Sequence, residues 1–192
     1  LMADALEKGA DAVITCGATQ SNHCRLTLAA ARKEGIECHF LIEERVPGTY
    51  SERASGNMFL FQLMGVDSIR VVPAGADMTA EMEKTAAELR ASGRKPYIIP
   101  GGGSNAVGAL GYVACAEEIL SQSFRKGVSF DRVFTTSGSS GTHAGLAVGL
   151  WANRSGIPLA GINISRPNSL QVPLVAKVAR ETAALLGIAA PL

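Results

Sequence analysis

Thr136-Ser137-Gly138-Ser139-Ser140-Gly141-Thr142-His143-Ala144-Gly145 is the stretch on which the reading of this chain turns. A β-prone run, Arg132 to Thr136, leads into it, and an apolar helical pattern, Thr142 to Asn153, leads out. A strand that passes through a short Gly/Ser turn directly into a helix is the first half of a β-α-β unit. Gly138 and Gly141 allow a sharp turn that gathers backbone N–H groups. The helix start adds partial positive charge, and the hydroxyls of Ser139, Ser140 and Thr142 add donors. Together they make a cup suited to one phosphate monoester, with no Lys or Arg in it. Neither GxxxxGK[ST] nor GxGxxG is present, which argues against a magnesium-bound triphosphate and a standard dinucleotide. An ordinary strand–helix connection would read the same way without a ligand.

Outward from this turn the same alternation fills the chain. Strands are predicted at Ala12–Cys16, Glu37–Ile42, Ser68–Val72, Pro96–Ile99, Arg132–Thr136 and Leu159–Ile164. Helices are predicted at Ser21–Lys33 with Gly35 as its stop, Ala54–Met64, Thr79–Ala91, from Asn105 to about Gln122, Thr142–Asn153 and Leu170–Leu186. Alternation of this kind implies an α/β fold with parallel sheets, which bind ligands beyond the carboxyl ends of their strands.

Two more loops of small polar residues fall at such positions. Gln20-Ser21-Asn22-His23 follows the first strand; Ser21 can cap the next helix, Gln20, Ser21 and Asn22 can equally face an anion, and His23 already lies inside the helix, where it reads as packed or solvated. Pro100-Gly101-Gly102-Gly103-Ser104-Asn105 follows the fourth strand, and three successive glycines cost backbone entropy that a ligand or a hinge would justify. His39 lies within a strand and reads as structural.

Composition narrows the classes. Lys plus Arg number 18 against 17 for Asp plus Glu, which leaves no basic field for a nucleic acid. No segment approaches the roughly 20 apolar residues that cross a bilayer. Cys16, Cys24, Cys38 and Cys115 form no CxxC pair and read as reduced thiols of a cytoplasmic protein. The opening residues read as an amphipathic helix with Asp4, Glu7 and Lys8 rather than as a signal peptide, and that helix starts without a cap. Ala190-Pro191-Leu192 breaks off in a new segment, so both ends read as cuts.

Three strings, in this order, resemble the D-cysteine desulfhydrase and 1-aminocyclopropane-1-carboxylate deaminase family of tryptophan-synthase-β-like pyridoxal-phosphate enzymes. They are Gln20-Ser21-Asn22-His23, then Gly102-Gly103-Ser104-Asn105-Ala106 with Gly108-Ala109-Leu110-Gly111-Tyr112, then Ser137-Gly138-Ser139-Ser140-Gly141-Thr142-His143-Ala144-Gly145 through Leu150. The last string and the tripled glycine are closer to the desulfhydrases. The resemblance implies two open parallel sheets with flanking helices (fold type II of these enzymes), incomplete at both ends. Residues 11–104 would form the small domain, and residues 1–10 and 105–192 part of the large one. It implies pyridoxal 5'-phosphate as cofactor, with Ser139, Ser140, Gly141 and Thr142 on its phosphate and Asn22 on its ring hydroxyl. Gln20, Ser21 and His23 would line the substrate carboxylate, Ser21 would handle a proton as the catalytic residue, and Gly102 would lie beside cofactor or substrate.

The activity implied is β-elimination of D-cysteine to pyruvate, ammonia and sulfide, with the cofactor ring as electron sink. A small amino acid is the expected partner, without nucleic acid or membrane, in a homodimer. An L-cysteate sulfo-lyase or the cyclopropane deaminase is the nearest alternative, and a phosphate-ligand binding module is the non-enzymatic one. In this family the lysine that holds the cofactor lies in an Asn-Lys-x-Arg-Lys stretch upstream of the first helix here, and Lys8 does not match it. These 192 residues by themselves are therefore expected not to turn over substrate, and the enzyme reading concerns the parent protein.

Overall fold

Ala12–Cys16 is a run of five buried residues, the pattern of a strand covered on both faces. It lies in β1 (Ala12–Ala18), at the centre of a parallel sheet that also holds β2 (Glu37–Glu44), β3 (Ser68–Pro73) and β4 (Pro96–Ile98) in the order β3-β2-β1-β4. Register pairs Val13 with Cys38 and with Tyr97, and Phe40 with Ile69. The structure, a computed structural model, describes residues 1–164 and 166–189; the terminal segment Ala190-Pro191-Leu192 lies outside them. Side-chain alternation divides the core. Val13, Phe40 and Ile42 face one layer with Leu28, Met58 and Phe61, whereas Ile14, Cys16 and Leu41 face the other with Met82 and Ala86. Phe40 meets Phe61 edge-on, ring centres 4.9 Å apart.

The helices of this unit begin where their caps allow. α1 covers Met2–Glu7 and α2 covers Asn22–Glu34. Ser21 caps α2, accepting from the Cys24 N–H, and Arg32 and Lys33 complement its C-terminal dipole. α3 is Asn57–Leu63, and α4 is Met78–Ala91, capped by Asp77 through Thr79 and Ala80. The helix expected from Ala54 thus starts three residues later. The reason is tertiary: the Ser55 carbonyl and the Asn57 N–H are both taken by the Gln20 side chain.

The described residues divide into two units, the first ending at Gly102 and the second beginning at Gly103. In the second, α5 (Ala106–Lys126), capped by Asn105, runs past the expected end near Gln122. Nothing breaks it before Gly127, and Arg125 and Lys126 fill its last turn. β5 (Val133–Ser137) pairs in parallel with β6 (Leu159–Asn163), flanked by α6 (Gly141–Ala152) and α7 (Asn168–Leu185). Gly145 and Gly149 let α6 lie directly on α5. A Cβ at Gly145 would come 2.3 Å from the Ala109 carbonyl oxygen, and one at Gly149 would come 2.6 Å from the Ala116 Cβ. Val113, Val148, Val175, Val178 and Ala179 fill the core among these three helices.

Candidate functional site

In the first unit the candidate residues sit where β1 gives way to α2. Gly17 presses so closely on this corner that a Cβ there would meet Ser21 Oγ at 2.5 Å. Ser21 Oγ accepts from Cys24 N–H at 3.1 Å, and the Ser21 hydroxyl also hydrogen-bonds the Cys24 thiol. The N–H groups of Asn22 and His23 have no protein acceptor among the described residues, as expected of a first helical turn. The corner therefore offers two amides at the positive end of a 13-residue helix.

Three amide side chains hold this corner, and backbone partners fix which end of each is which. Gln20 Nε2 donates to the Ser55 carbonyl at 3.0 Å, and its Oε1 accepts from the Asn57 N–H at 2.8 Å. Asn57 Nδ2 donates to the Gln20 carbonyl and to Asn22 Oδ1, both at 2.9 Å. Because a carbonyl must accept, Asn57 presents its NH₂ and Asn22 presents its oxygen. The Asn22 NH₂ is then the group left for a ligand. A similar argument settles His23. The buried Thr15 hydroxyl gives its one proton to the Ile99 carbonyl at 2.9 Å, so it accepts from His23 Nε2 at 2.7 Å. His23 is accordingly an Nε2–H imidazole, and burial pushes its pKa below the ordinary value. Gly102, the last residue of this unit in sequence, is exposed with φ 69°, a backbone state that favours glycine.

In the second unit Ser137 ends β5, and Ser140 occupies the N-cap position of α6, without a side-chain cap bond, at φ 86°, a left-handed conformation rare for a residue with a side chain. Ser104 Oγ accepts from the Gly141 N–H at 3.1 Å and donates to Ser139 Oγ at 2.8 Å. Among the described residues, the N–H groups of Ser139, Ser140, Thr142 and His143 have no protein acceptor. This is the cup read from the sequence, with four backbone donors uncommitted and one held by Ser104. His143 Nδ1 lies 3.0 Å from Ser137 Oγ, and burial lowers its pKa.

Other chemistries find no support here. Burial raises the Cys24 and Cys38 thiols to about 12 and pushes Cys16 up as well, the opposite of an activated nucleophile. No group of three metal-binding side chains occurs among the described residues, and no helix there is long and apolar enough to cross a membrane.

The family described as pyridoxal-phosphate dependent enzyme matches residues 1–191. The chain belongs to that family. It is 43% identical to the D-cysteine desulfhydrase of Yersinia pestis (strain Pestoides F), across the whole chain and 58% of that relative. To the desulfhydrase of Klebsiella pneumoniae it is 45% identical over 91% of the chain and 53% of the relative. The chain thus spans little more than half the length of the curated relatives it matches. Its structure resembles the crystal structure of an ACC deaminase homologue with TM-score 0.89 and 37% identity, over the whole chain and 56% of that structure. The likeness to O-ureido-L-serine synthase, TM-score 0.66 at 19% identity over 88% of this chain and 50% of that one, speaks to the fold alone. The α/β parallel-sheet fold with flanking helices is that of the family.

The residues of the Ser137–Thr142 turn fit the family's cofactor. A phosphate dianion offers only acceptors, and this turn, with His143 just after it, leaves four amides without an acceptor of their own among the described residues and carries no acidic side chain. Thr15, Asn57, Arg166 and Gln171 escaped sequence reading, and Ser104 stands out there only as part of the glycine loop. Their partners lie elsewhere in the sequence, as Asn57 lies 37 positions from Gln20, and no local pattern marks such pairs.

Proposed function

We propose that the full-length protein carrying this chain is a pyridoxal-phosphate dependent D-cysteine desulfhydrase. The observation that carries the reading is the cup of free amides around Ser140; the choice of substrate follows the relatives bearing that name. Bound there, the cofactor supplies an electron sink for bonds at the substrate α-carbon. The amides of Ser139, Ser140 and Thr142, with the hydroxyls of Ser139 and Thr142, hold its phosphate, and Gly141 keeps the helix start tight against Ser104. Asn22 donates its NH₂ to the ring hydroxyl. Its oxygen is already pinned by Asn57, so the donor end is preset.

For the substrate, the Asn22 and His23 amides and the Ser21 hydroxyl receive the carboxylate at the start of α2. Ser21 Oγ, fixed by its cap bond, is the atom placed to pass a proton at the α-carbon. Gln20 acts as a brace, since both ends of its amide are engaged by Ser55 and Asn57. His23 adds a neutral imidazole wall, and Gly102 leaves room beside the ligand. We further place the enzyme in the cytoplasm, in keeping with its free, mostly buried thiols, and as a homodimer. The two units are taken as the small domain and part of the large one. Within the unit 1–102, α1 packs Ala5 into the core.

Incubating the full-length protein with D-cysteine, L-cysteate and 1-aminocyclopropane-1-carboxylate, and measuring sulfide, sulfite and ammonia, tests the assignment. Sulfide and ammonia from D-cysteine are expected. Sulfite from L-cysteate, or ammonia from the cyclopropane alone, would reassign the enzyme within its family. No turnover together with retained phosphate-ligand binding would make it a binding module.

A further inference from the structure

Gln171 stands in the first turn of α7, 3% exposed. A buried amide is costly unless both its ends are satisfied, so the partners of this one are informative. Its Nε2 donates to Ser137 Oγ at 2.8 Å and to the Gly138 carbonyl at 3.1 Å, and reaches Ser140 Oγ at 3.3 Å. Its Oε1 accepts from Arg166 Nη1 at 3.1 Å, and the same guanidinium nitrogen donates to the Gly138 carbonyl at 3.1 Å. One side chain from a distant helix thus engages three residues of a single four-residue turn. It engages their hydroxyls and a carbonyl, and leaves the amides of Ser139, Ser140 and Thr142 alone.

The backbone explains why such a brace is needed. Ser140 holds φ 86°, a conformation its Cβ opposes and which persists only where surrounding contacts impose it. The Ser140 side chain is 2% exposed, and among the described residues its hydrogen-bond partner outside the turn is Gln171. If Ser140 relaxed to a right-handed conformation, the peptide planes on either side would rotate and the free amides would no longer converge.

We propose that Gln171 is a positioning residue for the cofactor phosphate. It holds the Ser137–Ser140 turn, with Ser140 left-handed, so that the amides stay available to the anion, and it does so without touching the ligand. The inference rests on the reading that this turn binds the phosphate of pyridoxal phosphate. A glutamate at 171 would lose the donor that three acceptors require and would bring a negative charge under the site. A methionine would keep the volume and lose every hydrogen bond.

The test compares pyridoxal phosphate with pyridoxal, which lacks the phosphate, by equilibrium binding to the full-length protein followed through cofactor absorbance. Gln171→Met is expected to weaken pyridoxal phosphate about tenfold, the size of one or two lost hydrogen bonds, and to leave pyridoxal unchanged. Adding Ser140→Gly, which adopts the left-handed state without help, is expected to restore most of that affinity in the Gln171→Met background. If Gln171→Met does not fold, Gln171→Asn with and without Ser140→Gly carries the same comparison. Pyridoxal phosphate binding within twofold of wild type, equal weakening of both ligands, or no rescue by glycine would overturn the proposal. A wild-type protein that binds the two ligands equally well would overturn the phosphate reading beneath it, a distinct outcome.

Discussion

The Asn57 side chain is shared between a backbone carbonyl and another amide, and that division of labour can be tested. Asn57→Ala removes two donated bonds and is expected to cost about 1 kcal/mol, since the site is partly exposed. Asn57→Asp should be worse. Its second carboxylate oxygen would face the Gln20 carbonyl and Asn22 Oδ1, acceptor against acceptor. Urea midpoints of the two variants give the order directly, and an aspartate as stable as the alanine would contradict the assigned orientation. For the buried Thr15, Thr15→Val keeps the shape and strands both the Ile99 carbonyl and the His23 Nε2–H. The expected loss is about 1–3 kcal/mol, the desolvation cost of unsatisfied buried groups. The His23 ring nitrogens, read by ¹⁵N NMR, should show an Nε2–H imidazole in the wild type and a changed tautomer balance in the variant. At this scale the sequence exposed Ser21, Asn22 and the Ser139–Thr142 hydroxyls because they sit in Gly-rich turns after strands. It did not expose Thr15, which lies inside an apolar strand and looks like a β-former.

Helices α5 and α6 show a competition whose winner is set by distance. Alanine in place of a mid-helix glycine gains up to about 1 kcal/mol of propensity. At Gly149 the new Cβ would lie 2.6 Å from the Ala116 Cβ and 2.8 Å from the Val113 carbonyl oxygen. One of these neighbours is backbone and cannot swing away, so the helices must separate, at a typical cost of about 1–3 kcal/mol. Gly149→Ala is therefore expected to destabilise the protein by about 1 kcal/mol or more in denaturant unfolding. Gly145→Ala, at 2.3 Å from the Ala109 carbonyl oxygen, should be at least as harmful. An unchanged midpoint for both would mean that α5 and α6 do not pack this closely. Element boundaries also show where local signals stop. α2 starts and ends where Ser21 and Gly35 say it should, since caps are local chemistry. α3 starts late because a glutamine more than thirty residues upstream has claimed its first turn.

For the molecule as a whole, His23, His39 and His143 all have pKa values below the ordinary 6.5, with burial as the leading cause in each. The sign follows from proton counting. In the unfolded chain they protonate as pH falls through about 6.5, whereas the folded protein resists, so the unfolded state binds more protons and stability declines. The decline begins near pH 6.5 and stops growing once the pH lies below the folded values. Unfolding midpoints should thus fall between pH 7.5 and 5.5, and His39→Gln should shallow the slope; a flat profile would refute buried neutral histidines. The alternation of apolar strands and capped helices determined, from the sequence alone, an α/β chain with parallel sheets, and the Gly/Ser turns marked where an anion could sit. These are local properties, written in periodicities and in residues with special backbone freedom. Which amides stay free was decided only by tertiary structure. Gln171 and Arg166 reach a turn some thirty positions away, and Asn57 reaches back to Gln20, because burying a polar group obliges it to find a partner wherever the fold supplies one.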